Sequence, residues 1–202
     1  MSETKKVQPL QAVKGMNDIL PPESARWEWL EAKMRSVLAR YGYQNVRVPI
    51  VEPTALFVRG IGEVTDIVEK EMYSWTDTMN GDQLTLRPEA TAGIVRAYVQ
   101  HGMQTWPQPI KVSLLGPMFR YDRPQAGRYR QFRQWDVEAI GDPGPGVDAE
   151  LIELGLRFYA EAGLTDVEVL LNSIGDAACR PAYIDALRAH YRPHAGRLPE
   201  VE

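Results

Sequence analysis

The stretch 110–141, IKVSLLGPMFRYDRPQAGRYRQFRQWDVEAIG, contains two runs typical of strands on either side of an arginine-rich turn. The first run is mostly apolar, and the second alternates polar and apolar side chains over much of its length. Pro-Gln-Ala-Gly at 124–127 has the composition of a loop. The stretch therefore predicts an antiparallel hairpin whose two strands are joined by a long, mobile loop.

Side chains alternate between the two faces of a strand, so residue parity sorts the polar groups of this hairpin. Arg120 and Asp122 share one face of the first strand. One face of the second strand carries a ring, an amide and two carboxylates, which belong to Phe132, Gln134, Asp136 and Glu138. Arginine matches phosphate oxygens and a ring stacks on a base, so a nucleotide fits these groups if the two faces coincide. The alternative is a solvated sheet face beside a surface loop, which is common in antiparallel sheets.

The segments outside the hairpin predict helices and further strands. Helices are expected at 22–41, at 90–102, at 149–164 with Asp148 as a cap, and near 176–191. A strand is expected at 43–53, where Val46, Val48 and Ile50 alternate and Pro49 marks an edge, a bulge or an interface. Two short strands are expected on either side of a tight turn at Asn80-Gly81, and a further strand at 167–173. Strands linked by hairpins favour an α+β domain with a mostly antiparallel sheet over a doubly wound parallel one.

Composition limits the classes of function. With 202 residues and 44% hydrophobic residues, the chain is long enough for one main soluble domain. Its net charge of -4 argues against binding nucleic acid through bulk charge, so phosphate binding depends on a local cluster. Cys179 is the only cysteine, which favours a reducing cytoplasm. The sequence has no signal-peptide core and no apolar run that predicts a membrane span.

The segment TLRPEAT at 85–91 is a second group of polar residues. A strand that ends at Arg87-Pro88 and turns into a helix sets the carboxylate of Glu89 and the hydroxyl of Thr91 at a helix start. Helix capping is sufficient to explain Thr91, and it explains Glu89 less well.

Together these segments resemble the N-terminal half of a histidyl-tRNA synthetase, a class II aminoacyl-tRNA synthetase. RYGYQNVRVPIVEPTALF at 40–57 resembles motif 1, which builds the dimer interface around a proline, here Pro49. GPMFRYDRPQAGRYRQFRQWDVE at 116–138 resembles motif 2, and TLRPEAT resembles the histidine-specific segment before it. LLNSIG at 170–175 also fits, and the resemblance extends from VKGMNDILP at 13–21 to the C-terminal helix.

The resemblance implies a class II α+β fold, with a mostly antiparallel sheet flanked by helices. It implies ATP-dependent activation of L-histidine to histidyl-adenylate and transfer to the 3' end of histidine tRNA, by a cytoplasmic homodimer. Mg²⁺ is expected to neutralise the phosphates of ATP, and no protein ligands for it are identified. Residues 1–202 are then the N-terminal portion of a class II catalytic domain, without motif 3 or the anticodon-binding domain. We expect such a chain alone to be inactive or weakly active.

The family's motif also implies roles for individual residues. Arg120 is the catalytic residue and holds the α-phosphate of ATP and the carboxylate of histidine. Asp122, where the family usually has glutamate, contacts the adenine amino group. Arg128 contacts the γ-phosphate, and Phe132 stacks on adenine.

Histidine itself is expected to bind residues from both segments. The family's pattern assigns the substrate's α-ammonium to Glu89, Thr91 and Gln134, with Ala90 in the same contact segment. Glu138 accepts a hydrogen bond from the imidazole, and an apolar side chain of similar size would leave this carboxylate unpaired.

The turn of the hairpin is expected near the acceptor end of tRNA. Arg123 is a candidate contact to phosphate and Gln125 to an end base. The role of Arg130 is left open between the phosphates of ATP and the tRNA. Arg87 is interpreted as structural, paired with a carboxylate.

Two other functions are compatible with parts of the pattern. One is a non-catalytic, synthetase-like regulatory subunit of ATP phosphoribosyltransferase, which has no need to keep Arg120, Arg128, Phe132 and Glu138. The other is a class II synthetase for another amino acid, such as proline. The continuous match over 116–138 favours histidine.

Overall fold

The computed structural model describes residues 9–61, 71–173 and 175–197. The chain forms two compact units, Met1–Thr165 and Asp166–Glu202. All the side chains assigned to substrates lie in the first unit. Ile174, within the LLNSIG segment, lies outside the described residues.

The described elements alternate between helices and short groups of strands. The helices are α1 (Glu23–Arg40), α2 (Thr54–Ile61), α3 (Thr91–Gln100), α4 (Pro145–Glu161) and α5 (Arg180–Tyr191), with 3-10 turns at Met103–Thr105 and Arg192–Arg197. The strands are β1 (Gln44–Asn45), β2 (Val51–Pro53), β3 (Tyr73–Thr76), β4 (Gln83–Leu86), β5 (Ile110–Phe119) and β6 (Gln131–Ile140). None of the described helices combines the length and apolarity that a membrane span requires.

The predicted hairpin at 110–141 is confirmed and forms the centre of the larger sheet. β5 and β6 pair antiparallel over ten residues each, from Ile110 opposite Ile140 to Phe119 opposite Gln131. β1 adds to the other edge of β5 in parallel, so the strand order is β1-β5-β6. The predicted α+β class with mostly antiparallel strands is also confirmed.

Helices cover both faces of this sheet, and residue parity decides which residues meet which helices. Even-numbered residues of β5, among them Leu114 and Met118, pack with Ile94 of α3 in one apolar cluster. Odd-numbered residues of β6, such as Trp135, pack against a second cluster that includes Phe158 of α4 and residues of α1. The candidate polar residues of β6 are even-numbered and therefore lie on the α3 side.

The smaller sheet has the order β2-β4-β3 and is antiparallel throughout. The hairpin predicted around Asn80-Gly81 is confirmed, but its turn is longer than a two-residue connection. The N–H of Asp77 donates to the carbonyl of Asp82, and that of Gly81 donates back to Asp77. Gly81 has φ +83°, a conformation that glycine adopts without strain.

Residues 43–53 do not form the single strand that their alternation predicts. The two ends of the segment become β1 and β2, which belong to different sheets. Between them, the carbonyl of Val48 accepts a hydrogen bond from Nη1 of Arg87, 3.1 Å away, instead of pairing in a ladder. Pro49 has no N–H to donate, so the interruption at this position agrees with the proline's chemistry.

Two expectations about helix starts are corrected. Asp148 is not the cap of its helix, because α4 already begins at Pro145 and Asp148 lies in the first turn. Proline is well suited to the first helical position. α5 begins at Arg180 rather than near 176, because the carboxylate of Asp176 accepts the N–H groups of Ala178 and Cys179 and holds a turn there.

The strand predicted at 167–173 is wrong. None of these residues pairs with a strand within the described part of the chain, and Leu170 and Leu171 are 87% and 79% exposed. An apolar, β-branched run becomes a strand only when a neighbour accepts and donates its backbone hydrogen bonds.

Candidate active site

The end of β4 brings the TLRPEAT segment to the end of β5. The N–H of Arg87 donates to the carbonyl of Ile50, 2.9 Å away, and its carbonyl accepts the N–H of Phe119 at 3.0 Å. These backbone bonds join the smaller sheet to the larger one. Residues 88–91 consequently lie beside the point where β5 enters the arginine-rich turn.

The side chain of Arg87 is a buried part of this junction, with 4% of the residue exposed. Nε donates to the carbonyl of Pro117 at 3.0 Å and Nη1 to that of Val48 at 3.1 Å. A Cβ at Gly116 would overlap Nη2, so glycine makes room for the guanidinium. Burial lowers the pKa of Arg87, and the nearby carboxylates of Asp136 and Glu52 oppose that shift. The structure supports a structural role for Arg87, but its hydrogen-bond partners within the described residues are carbonyl groups and not the carboxylate that was expected.

Arg120 and Phe132 lie on the same face, so the two polar faces of the hairpin coincide. The N–H of Arg120 donates to the carbonyl of Arg130 at 3.0 Å, which extends the ladder by one pair beyond β5. Nε of Arg120 donates to the carbonyl of Pro88 at 3.0 Å, and its guanidinium carbon lies 5.1 Å from the centroid of the Phe132 ring. The guanidinium is thus oriented by one backbone carbonyl and one aromatic ring.

At the start of α3, the capping interaction comes from Glu89 and not from Thr91, for which capping was the sufficient explanation. Glu89 Oε1 accepts the N–H of Ala92 at 2.9 Å, which is a capping interaction. The Thr91 hydroxyl instead donates to Oε1 of Glu138 on β6, 2.6 Å away. Ala90 is fully buried at the N-cap position and contributes no polar side-chain group. Capping therefore explains Glu89 in this structure, whereas Thr91 contacts the carboxylate expected to bind imidazole.

Asp136 is the most buried carboxylate on this face, with 6% of the residue exposed. Its Oδ1 accepts a hydrogen bond from Nε2 of Gln134 at 3.1 Å, whereas its Oδ2 is buried without a partner. Burial raises the pKa of Asp136 to about 6, assisted by Glu138 and Glu89. The cations Arg87 and Arg120 act in the opposite direction.

The sequence placed Asp136 on the correct face but assigned it no role. The available signal was an acidic residue at an alternate position of a strand whose other face is apolar. The pattern does not show that this position is buried on the α3 side of the sheet, beside Arg87.

The arginine-rich turn separates into exposed side chains and an ion pair. Nη1 of Arg128 lies 3.0 Å from Oδ2 of Asp122, and Oδ1 of the same carboxylate accepts the N–H of Arg123 at 2.6 Å. Gln125 and Arg128 exchange two backbone hydrogen bonds, which close the turn. The side chains of Arg123 and Gln125 are exposed, unlike the buried carboxylate of Asp136.

Arg130, whose role was left open, supports the base of this turn. Its Nε donates to the carbonyl of Asp122 at 3.0 Å, and its guanidinium carbon lies 4.1 Å from the Tyr121 ring centroid. Its backbone N–H donates to the carbonyl of Gly15 at 2.8 Å, which ties the turn to the N-terminal segment. These contacts explain Arg130 without a ligand.

The site therefore combines two chemical environments on one face of β6. One has a guanidinium beside an aromatic ring, which suits a phosphate and a base. The other has the carboxylates of Glu89, Asp136 and Glu138 beside the amide of Gln134, which suits a cationic group. Over the described ranges, no set of three or more His, Cys, Asp or Glu side chains is arranged to hold a metal ion.

Comparison with known proteins agrees with this arrangement. The family model described as histidyl-tRNA synthetase matches residues 15–188. A relative from Acidovorax ebreus (strain TPSY), named histidine--tRNA ligase, is 59% identical over 194 residues, which are 96% of this chain and 45% of the relative.

Solved structures show the same similarity. The crystal structure of apo S. aureus histidyl-tRNA synthetase matches with a TM-score of 0.73 and 38% identity, over 95% of this chain and 44% of that one. A Bacillus halodurans protein described as an ATP phosphoribosyltransferase regulatory subunit/histidyl-tRNA synthetase matches with a TM-score of 0.65 and 26% identity, over 78% of this chain and 40% of that one.

The chain spans slightly less than half the length of the curated relatives it matches, which cover it almost from end to end. The family model likewise matches most of its length, including both segments that form the site. On these matches, the chain belongs to the histidyl-tRNA synthetase family.

Proposed function

We propose that the protein activates L-histidine with ATP and transfers it to histidine tRNA. The observation that carries this proposal is the shared face of Arg120 and Glu138, with the Phe132 ring beneath the guanidinium. A cation for phosphate and carboxylate thus lies on the same sheet face as an anionic pocket for imidazole and ammonium groups. Both reactants of histidine activation would be bound on this face.

The reaction needs positioning and charge more than a protein nucleophile. An oxygen of the histidine carboxylate attacks the α-phosphorus of ATP, a new P–O bond forms, and pyrophosphate leaves with the electrons of the broken bond. Arg120 would hold the two reacting groups together and oppose the negative charge that develops on the phosphoryl oxygens. Mg²⁺ would neutralise the phosphates of ATP, and the described residues offer no cluster of three His, Cys, Asp or Glu ligands for it.

Recognition of histidine would depend on Glu138 as an acceptor for an imidazole N–H. The Thr91 hydroxyl already holds one oxygen of this carboxylate, which fixes its direction. An amino acid with an apolar side chain would leave the other oxygen of Glu138 desolvated and unpaired, a cost of about 1–3 kcal/mol for a polar group and more for a charge.

ATP binding would require Asp122 and Arg128 to exchange partners. Their ion pair is partly exposed, because Arg128 retains 58% of its side-chain accessibility. Such a pair contributes at most about 1 kcal/mol, so a polyphosphate can replace the carboxylate as the partner of Arg128 at little cost. Asp122 would then be free to accept from the adenine amino group, and Phe132 would stack on the base.

The remaining expectations concern partners and location. Arg123 and Gln125 would contact the acceptor end of tRNA from the exposed turn, and Pro49 is exposed, as an interface residue of a homodimer would be before assembly. The proposal includes a cytoplasmic location. Replacement of Gln125 by alanine should weaken aminoacylation and leave adenylate formation nearly unchanged; equal losses in both steps would contradict the tRNA contact.

The decisive activity assay is histidine-dependent exchange of pyrophosphate into ATP. It should be measured for the 202-residue chain and for the completed protein, defined as the chain joined to the C-terminal part of its Acidovorax ebreus relative. We expect exchange by the completed protein and little or none by the chain alone. Absence of exchange in a folded completed protein would contradict the proposed function.

The regulatory-subunit alternative is not favoured. Relatives at 59% and 55% identity are named histidine--tRNA ligase, and Arg120, Arg128, Phe132 and Glu138 are all present. A tRNA-binding assay on the completed protein discriminates between the two functions, because a regulatory subunit has no need to bind histidine tRNA.

A further inference from the structure

The side-chain amide of Gln134 is held in one orientation by a neighbour that the proposed reaction does not otherwise use. Nε2 of Gln134 donates to Oδ1 of Asp136, two residues along the same face of β6. Ionised carboxylate oxygens only accept hydrogen bonds, so Asp136 selects the amide nitrogen and turns the amide oxygen away from itself. The orientation of Gln134 is thus set by the charge state of Asp136.

The amide oxygen selected in this way is buried and has no partner. Gln134 Oε1 is one of the few buried side-chain oxygens or nitrogens without a hydrogen bond in the described residues. Leaving such an acceptor unpaired costs free energy, so it marks a position where a donor is expected to bind. The region is acidic, because Asp136 interacts electrostatically with Glu89 and Glu138. The donor that suits these surroundings is a cation.

A substrate ammonium group fits this position better than a metal ion. The acidic side chains in the described residues form no cluster of three with the spacing of metal ligands. An ammonium group has three N–H donors and a single positive charge, and it can bond an amide oxygen and nearby carboxylates at once. The α-ammonium of histidine supplies this group under the proposed function.

We infer that Asp136 is a positioning residue for substrate binding, which directs the amide oxygen of Gln134 toward the α-ammonium group of histidine. This inference rests on the proposed function and adds a residue to it. Asp136 acts through Gln134, and its negative charge adds to the attraction from Glu89 and Glu138.

Arg87 and Gly116 support the carboxylate of Asp136. The guanidinium of Arg87 is anchored by the carbonyls of Pro117 and Val48, and its charge favours the ionised form of Asp136. Glycine at 116, opposite Gln134 in the ladder, leaves the space that this guanidinium occupies. A buried cation anchored on β5 and on the segment between β1 and β2 therefore supports the carboxylate that orients the amide.

The test compares three ligands that differ in the ammonium group. L-histidine and L-histidinol carry it, whereas imidazolepropionate has the same imidazole and a carboxylate but no ammonium group. Binding to the completed protein would be measured by calorimetry for the wild type, for Asp136→Asn and for Asp148→Asn. Asp148 is an exposed residue of the first turn of α4, so its variant controls for the loss of one negative charge.

Asp136→Asn should weaken the binding of histidine and of histidinol by roughly 10-fold to 100-fold, the range expected for a hydrogen bond to a charged group. Imidazolepropionate should bind this variant as it binds the wild type, and Asp148→Asn should match the wild type for all three ligands. If Asp136→Asn binds histidine as tightly as the wild type does, the inference is wrong, and the proposed function is not affected. Equal weakening of all three ligands would also overturn the inference, because it would indicate general damage to the pocket.

Binding by the wild-type protein distinguishes a failure of this inference from a failure of the proposed function. If the folded wild-type protein binds none of the three ligands, the proposed function fails, and the inference fails with it. If it binds histidine and only the comparison with Asp136→Asn fails, the proposed function stands.

The orientation of Gln134 also has a direct readout that needs no substrate. Side-chain amide resonances of the 202-residue chain, with that of Gln134 assigned through Gln134→Glu, report the hydrogen bond to Asp136. The charged groups around Asp136 are Glu138, Glu89, Arg87 and Arg120. Between pH 7.5 and pH 5 the Gln134 resonance should move in the wild type and stay in place in Asp136→Asn. A resonance that moves equally in both would show that Asp136 does not hold the amide, and would contradict the inference.

Discussion

The hydroxyl of Thr91 donates a 2.6 Å hydrogen bond to Oε1 of Glu138, across 47 positions of the sequence. The bond connects the first residue of α3 to β6, so the helix start and the sheet act together in directing one carboxylate. In the proposed reaction this carboxylate accepts a hydrogen bond from the imidazole of histidine. Under that proposal, the hydroxyl at the start of the helix would take part in substrate selection.

Replacement of Thr91 by valine keeps the shape of the side chain and removes the donor. We expect the KM for histidine in pyrophosphate exchange to rise about tenfold, since a hydrogen bond to a charged group contributes about 1.5–3 kcal/mol. Thr91→Ser retains a hydroxyl and serves as the matched control. Identical KM values for the two variants would show that the bond to Glu138 does not direct the carboxylate.

Replacement of Arg120 by alanine should reduce histidine-dependent exchange by at least about 100-fold, the loss typical of removing a group that stabilises transition-state charge. Folding should change little, because the side chain makes one bond to a backbone carbonyl and one ring contact. Thermal unfolding measured beside the exchange rate checks both statements. Retained exchange in a folded Arg120→Ala protein would overturn the assigned role.

Replacement of Gly116 by alanine should destabilise the chain. The added methyl group would overlap the guanidinium of Arg87, which is held by two carbonyls and cannot move without breaking those bonds. We expect a loss of about 2–4 kcal/mol in the free energy of unfolding, measured by urea denaturation.

Gly155 offers a matched control for this substitution. It lies within α4, and apart from its chain neighbours and the backbone of its own helix nothing lies within 4 Å of an added Cβ. Gly155→Ala should be neutral or stabilise the protein by up to about 1 kcal/mol through helix propensity. If the two alanine variants are equally stable, the packing of Arg87 against position 116 is not as described.

The raised pKa of Asp136 predicts a pH-dependent stability with a definite sign. Its folded-state pKa of about 6 exceeds the ordinary value of 3.8, so the folded state binds this proton more tightly than the unfolded state. The resulting stabilisation is present below pH 3.8 and is lost as the pH rises through 6. At pH 7.5 the ionised carboxylate should cost about 2–3 kcal/mol relative to a neutral group.

Asp136→Asn should consequently be more stable than the wild type at pH 7.5, and the difference should narrow below pH 5. Urea denaturation at several pH values measures this difference, with Asp148→Asn as an exposed control. A difference that does not depend on pH would contradict the assignment. In combination with weaker histidine binding, a more stable variant would indicate that the carboxylate is kept for function.

The sequence predicted those parts of the fold that depend on local patterns. The hairpin at 110–141 has two strand-like runs around a loop, and its pairing required no distant partner. The strand expected at 43–53 was divided because its two ends pair with distant strands in separate sheets. The run at 167–173 had the composition of a strand, and composition does not show whether a neighbouring strand is available.

The candidate site shows the same division. Parity sorted the faces of each strand, and the register of the hairpin then brings Arg120 and Phe132 to the same face. The partners of Glu89 and Thr91 depended on how α3 lies against β6, which no spacing in the sequence specifies. The burial of Asp136 required the position of Arg87, a residue that reaches it from another sheet.

The amino-acid dependence of pyrophosphate exchange tests the central claim most directly. In the completed protein, exchange should be measured with each protein amino acid in turn, beside the Arg120→Ala variant as a background. The account predicts exchange with L-histidine and none above background with the others, proline included. Exchange that depends on a different amino acid, or no exchange by a folded protein, would contradict it.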